Sequence, residues 1–314
     1  MKDLRIVFMG TPEFAVASLE KIIANGFSVV GVVTAPDKPA GRGRKLNQSA
    51  VKKFALEKGI PVLQPVNLKS PEFYEELKSL KANVQVVVAF RMLPKAIWQM
   101  PELGTFNLHA SLLPQYRGAA PINWAIVNGE KTTGVSTFFI DEKIDTGEII
   151  LQQETKIEPN ENAGELHDKL MELGGDLVVK TLSLLRNGNV QTFRQPTENL
   201  KDAPKLTAEN TKIDWNEPAK TIYDKIRGLS PYPTAWCFLE HGKEEVRVKI
   251  QKASIKMEAH ELPVGEIVQI EKSLKVAVKG GFVVLEEIQL PGKRKMGVKE
   301  LLNGFSLKEN PRMR

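Results

Sequence analysis

The chain has 314 residues, of which 42% are apolar and 26% charged. That balance supplies real hydrophobic cores and excludes a disordered, collagenous or fibrous polymer. A prior of roughly 150 residues per domain gives two domains. The net charge of +6 permits a polyanionic partner without demanding one. Residues 206–314 hold 19 Lys/Arg against 15 Asp/Glu, so most of the excess lies in the smaller C-terminal part. The single cysteine, Cys237, excludes a disulfide framework and a multi-cysteine zinc site, and the four histidines form no ligand cluster in sequence. No metal is expected. A lone thiol also fits a reducing compartment. No stretch approaches the roughly 20 apolar residues of a membrane span. The run 6–9 is too short for a signal-peptide core. The expectation is a cytoplasmic protein that does not enter a membrane.

Residues 5–9 read as a strand, and Gly10-Thr11-Pro12 turns the chain into a helix from Glu13. Phe14, Val16, Leu19, Ile22 and Ile23 recur there at helical spacing. Residues 28–34 read as a strand, 48–58 as a helix and 61–63 as a short strand. Ser70 and Pro71 are a cap and a first-turn proline for a helix over 70–80. Val84, Val86, Val87 and Val88 make 83–90 a strand suited to burial on both faces. This alternation predicts an α/β fold with a doubly wound, mostly parallel, Rossmann-like sheet. Residues 134–140 and 148–153 then read as a strand pair, and 162–185 as a long helix. The polar, turn-rich stretch 190–205 reads as a linker. Short strands at 246–250, 265–270, 274–278 and 282–288 predict a small β-barrel or sandwich. The expected organisation is a catalytic domain over 1–189, the linker, and a barrel domain over 206–314.

The opening invites a dinucleotide reading, which the residues do not support. Gly10 is followed by Thr11-Pro12-Glu13, so two of the three fingerprint glycines are missing. Glu13 would also place negative charge where a pyrophosphate should sit.

The informative stretch is 106–121. Asn107 and His109 are two apart, so on a strand both side chains point to the same side. An amide donor and an imidazole facing together suit a developing oxyanion. Asp145, before Thr146-Gly147, suits a tight turn. It could also orient His109, as the carboxylate of a catalytic triad does. The stretch 38–45 carries Lys38, Arg42, Arg44 and Lys45 with no acid, and its glycines and proline favour a loop over a helix.

These segments resemble the 10-formyltetrahydrofolate-dependent formyltransferases, in their methionyl-tRNA branch. The resemblance rests on Met9-Gly10-Thr11-Pro12-Glu13-Phe14-Ala15, on Asn107-x-His109 with Ser111-Leu112-Leu113-Pro114 and Tyr116-Arg117-Gly118-Ala119-Ala120-Pro121, and on Ile144-Asp145-Thr146-Gly147. It continues in Ile213-Asp214-Trp215 and in the motif Ile226-Arg227-Gly228-Leu229-Ser230-Pro231-Tyr232-Pro233-Thr234-Ala235-Trp236, so it spans essentially the whole chain.

The resemblance implies a formyltransferase domain followed by an oligonucleotide-fold-like barrel. It implies 10-formyltetrahydrofolate as co-substrate, methionyl initiator tRNA as acceptor, and a monomer. It makes Asn107, His109 and Asp145 the catalytic trio. Ser111, Leu112, Leu113 and Pro114 would line the folate site, with Phe90, Arg91 and Met92 at the pterin edge. The commoner pattern has tyrosine and glycine where Phe90 and Arg91 stand, and arginine lacks the backbone freedom of glycine. Lys38, Arg42, Arg44 and Lys45 would meet the acceptor stem, and Lys293, Arg294 and Lys295 would add phosphate contacts from the barrel. Phe14 would border the methionyl pocket. Rival readings are a formyltransferase for a small amine and a non-catalytic RNA-binding protein on the same scaffold.

Overall fold

The computed structural model describes residues 3–40 and 45–314. The described chain forms two compact units. The first gathers residues up to Gly118 with 133–155 and 167–202; the second gathers 119–132, 156–166 and 203–314.

In chain order the first part runs β1 (Arg5–Gly10), α1 (Glu13–Ala24), β2 (Ser28–Val33), β3 (Lys38–Ala40), β4 (Lys45–Asn47), α2 (Ala50–Glu57), β5 (Val62–Leu63), α3 (Pro71–Ser79), β6 (Val84–Val88), α4 (Lys95–Trp98) and β7 (Thr105–His109). It continues through β8 (Arg117–Gly118), α5 (Pro121–Val127), β9 (Thr132–Phe139), β10 (Ile149–Lys156) and α6 (Ala163–Asn187). The main sheet has the order β10-β9-β7-β6-β1-β2-β5. The pairs from β5 through β7 are parallel, and β9 runs antiparallel to β7. Every residue of β6 is buried, as its valine run requires of a central strand covered on both faces. Helix α3 starts where its cap predicts: Ser70 Oγ accepts from Phe73 N, with Pro71 in the first turn.

One close approach decides which way β7 faces. A Cβ on Gly174 of α6 would fall 2.7 Å from a methyl of Leu108, so the helix lies directly against the Leu108 side of β7. Thr137, which pairs with Leu108, hydrogen-bonds Thr181 of α6 on that same side. Asn107 and His109 alternate with Leu108 and therefore look away from α6.

The second part adds β11 (Asp202–Ala203), α7 (Ala219–Gly228), β12 (Ala235–His241), β13 (Glu244–Lys256), β14 (Ile267–Ile270), β15 (Ser273–Val278), β16 (Gly281–Gln289), β17 (Met296–Gly297), α8 (Val298–Leu301) and β18 (Arg312–Met313). Its sheet order is β14-β15-β16-β13-β12-β18. Ile267 N donates to Pro311 O and Met313 N to Gly265 O, which joins the two edges into a barrel. This near closure leaves little exposed strand edge. Ile222, Ile226 and Leu229 join Val248, Ile250, Val276 and Leu285 in one buried core. Cys237 lies in that core with no exposure, and burial pushes its thiol up to about 12. Among the described residues no helix is long and apolar enough to cross a membrane.

Candidate active site

Strand β7 ends at His109, and the turns that follow enclose its ring. His109 is 6% exposed. Its Nε2 lies 2.8 Å from the carbonyl of Tyr116, and a carbonyl only accepts, so Nε2 carries a proton there. Tyr116 sits in the left-handed region, at φ 61°, where its N–H is satisfied by Lys201 O. On the other side of the ring, Nδ1 faces Asp145 Oδ2 at 3.6 Å. That same oxygen accepts a 3.0 Å hydrogen bond from Gly118 N. Asp145 is also left-handed, at φ 56°. Two residues on, the turn must have glycine, because a Cβ on Gly147 would stand 1.7 Å from Phe139 O.

Asn107, one pleat back, is partly exposed. Its side chain takes no hydrogen-bond partner among the described residues. It is thus a free amide beside an imidazole whose two nitrogens are already engaged.

The segment after His109 is held from below. Ser136, opposite His109 across β7 and β9, donates through Oγ to Ser111 O and accepts from Leu113 N. Gln152 donates to both Ser136 Oγ and Leu113 O. Ser111 itself is fully buried and bonds Gln115 O. Leu113 is buried, Leu112 half-buried, and the Leu113-Pro114 peptide is cis. Ser136 and Gln152 carry no signal in sequence, since both read as ordinary strand residues.

At the β6 end, the residue that needs the left-handed region is Ala89, at φ 48°, and not Arg91. An arginine at 91 therefore carries no conformational penalty. Its guanidinium donates to the carbonyls of Pro65 and Val66 and lies 5.6 Å from the Phe90 ring centroid. Met92 is exposed. Phe14 is buried, edge-on to His167 at 5.2 Å.

The basic stretch divides at the limits of description. Lys38 is exposed, and Lys38–Ala40 pairs antiparallel with Lys45–Asn47, so the flanks form a hairpin. Arg42 and Arg44 lie outside the described residues, as does the side chain of Lys45. On the barrel, Arg294 pairs with Glu300, and Lys295 lies 3.8 Å from Glu287. Two of the three expected barrel cations thus face acids, and Lys293 has no acidic partner among the described residues. No group of three or more His, Cys, Asp or Glu among the described residues could hold a metal ion.

Residues 4–182 match the formyl transferase family and 205–306 match its C-terminal domain. A methionyl-tRNA formyltransferase of Flavobacterium johnsoniae is 57% identical over 314 residues, covering all of both chains. One from Bacteroides thetaiotaomicron is 52% identical over 318 residues, covering 99% of each. Among solved structures, an N-formyltransferase from Helicobacter canadensis, in complex with folinic acid and dTDP-3-aminofucose, shares the fold at TM-score 0.66 and 22% identity over 90% of this chain and 98% of that one. With similarity running end to end through both domains, the chain belongs to the formyl transferase family, in its methionyl-tRNA formyltransferase branch.

Proposed function

We propose that this chain transfers the formyl group of 10-formyltetrahydrofolate to the α-amino group of methionyl initiator tRNA, giving N-formylmethionyl-tRNA for translation initiation. The observation that carries the reading is the free Asn107 amide next to the His109–Asp145 pair, in a chain similar over its full length to enzymes of that name.

The residues present fit the donor. The Ser111-to-Pro114 segment, buried at Ser111 and Leu113, is fixed through Ser136 and Gln152 and supports one wall. The 90–92 segment supplies an apolar edge at Phe90 and Met92, with Arg91 already occupied by backbone carbonyls.

The acceptor amine attacks the formyl carbon as its free base. Model α-amino groups titrate at about 7.7–8.0, so an appreciable fraction is neutral near pH 7 and no strong general base is required. The harder problem is the tetrahedral oxyanion. The Asn107 amide donates to it directly. His109 contributes the Nε2 proton that the Tyr116 carbonyl holds in the free chain. A charged acceptor makes hydrogen bonds roughly twice as strong as a neutral one, so a developing oxyanion outcompetes that carbonyl. Asp145, opposite Nδ1, orients the ring, and the proton released by the attacking amine goes to the leaving nitrogen, so the ring ends the step as it began it. We infer further that the chain acts as a monomer in the cytoplasm, all three side chains being its own.

The deciding assay supplies radiolabelled methionyl-tRNA and 10-formyltetrahydrofolate and scores N-formylation. Elongator tRNA and free amino sugars serve as controls. Transfer to initiator tRNA is expected; transfer only to small amines would favour the sugar-directed alternative.

For RNA contact, Lys38, Arg42, Arg44 and Lys45 are proposed to meet the acceptor end, with Lys293, Arg294 and Lys295 positioning phosphates. Lys293 is the strongest barrel candidate, since its two neighbours face acids. Neutralising Arg42, Arg44 and Lys45 together should weaken tRNA binding and flatten its salt dependence by about 0.7–0.9 log units per lost phosphate contact. An unchanged slope would remove the loop from the interface.

A further inference from the structure

Gln195 lies between the two stretches that match the family, in the polar connection after α6. It is nevertheless 9% exposed. Phe193 and Ile149 exchange both backbone hydrogen bonds, which docks this connection along the start of β10. Thr192 and Arg194 both reach the Glu148 carboxylate from the same segment. The Gln195 amide is thereby held over the turn that carries Asp145.

Its Nε2 donates to Asp145 O at 2.9 Å and to Gly147 O at 2.7 Å. Its Oε1 accepts from Arg117 Nε at 3.0 Å and from the Arg117 terminal nitrogen at 2.6 Å. The residue after Arg117 is Gly118, whose N–H holds the Asp145 carboxylate. Two turns are therefore tied together twice: directly, by Gly118 to Asp145, and indirectly, by Arg117 through Gln195 to the Asp145 backbone. Only a primary amide serves both sides of the indirect tie. It offers two donors to two carbonyls and an acceptor to a guanidinium, whereas a glutamate would leave both carbonyls without a donor.

We propose that Gln195 is a positioning residue that sets the Asp145 carboxylate against the His109 ring. It touches neither reacting group and acts only through the placement of Asp145. The proposal rests on the catalytic reading of that pair. Displacements of about 1 Å in a catalytic geometry can cost up to about 100-fold in rate. Gln195→Ala is expected to lower the single-turnover transfer rate roughly 10- to 100-fold, with donor and tRNA affinities held within about twofold.

Two readouts separate positioning from a merely structural role. In an Asp145→Ala background, Gln195→Ala should cause no further loss of rate, because the group it places is already gone. Gln195→Glu, which keeps the bond to Arg117 and loses both donors, should behave the same way and serves if the alanine variant folds poorly. Hydrogen exchange at the Gly118 amide is the second readout. Its protection depends on the Asp145 carboxylate and should fall in Gln195→Ala as it does in Asp145→Ala. Additive rate losses in the double variant, or Gly118 protection unchanged by Gln195→Ala, would overturn the proposal. An unsubstituted chain that formylates no methionyl-tRNA overturns the proposed function instead, and the exchange measurement then still decides the clamp.

Discussion

Asn107→Ala is expected to slow formyl transfer about 100- to 1000-fold, the loss of roughly 2.7–4 kcal/mol typical of one oxyanion donor. The magnitude follows from where the amide is and what it lacks. Asn107 projects from the middle of a central strand, its backbone fixed by pairing with Val87 and Phe138 on either side. Among the described residues its side chain has no partner to release before it can donate. Such a donor is already oriented when charge develops, so little of its interaction is lost to reorganisation. For the same reason the substitution leaves no buried polar group unpaired, and stability should stay within about 0.5 kcal/mol of the parent. Single-turnover rates at saturating donor, with thermal unfolding alongside, separate the two effects. A rate loss accompanied by a matching loss of stability would assign Asn107 to the scaffold.

The second large effect lies in the barrel unit and concerns folding. Asp224 and Arg227, one turn apart on α7, are 4% and 7% exposed. Arg227 Nε donates to Asp224 Oδ1 at 2.7 Å, and its terminal nitrogen donates to Glu161 O at 2.7 Å. Lys220 reaches the same carboxylate from the exposed side. Asp224→Ala strands a buried guanidinium with one carbonyl for company, and breaking such a pair typically costs about 3–5 kcal/mol. Replacing both members by apolar residues, as in Asp224→Ala with Arg227→Met, should recover a good part of that loss. The denaturant midpoint of the full chain measures both. Similar midpoints for the single and double variants would mean that the pair is not what stabilises this region.

That same helix marks where reading the sequence stops. Much of the parallel sheet is legible, because β6 is an apolar run and α3 has both a serine cap and a first-turn proline. Helix α7 is not. Its face towards the core includes Asp224 and Arg227 beside Ile222 and Ile226, and charged residues in sequence read as solvated. Strand β13 extends over Glu244–Lys256, well past the 246–250 expected, because its outward positions carry glutamates and lysines that resemble loop text.

The candidate site divides in the same way. The two-residue step from Asn107 to His109 predicts a shared face, and β7 supplies it. That Asp145 meets His109, 36 positions away, depends on contacts to Gly118 and Gln195, 27 and 50 positions from Asp145, and no local pattern encodes them. Tyr116 is a similar case. Its carbonyl occupies the His109 Nε2 proton because a left-handed turn aims it there, which spacing alone does not reveal. At position 91, where the commoner pattern has glycine, the arginine sits outside the left-handed region, and the positive φ of this edge falls on Ala89.

The account turns on an imidazole that exchanges a carbonyl for a charged oxygen as the formyl group moves. The most direct test is the chemical rate of His109→Ala under single-turnover conditions, with donor and tRNA dissociation constants measured separately. The predicted result is a fall of two to three orders of magnitude, the size expected for one lost oxyanion donor, with both constants nearly unchanged. Transfer at close to the parent rate would contradict it.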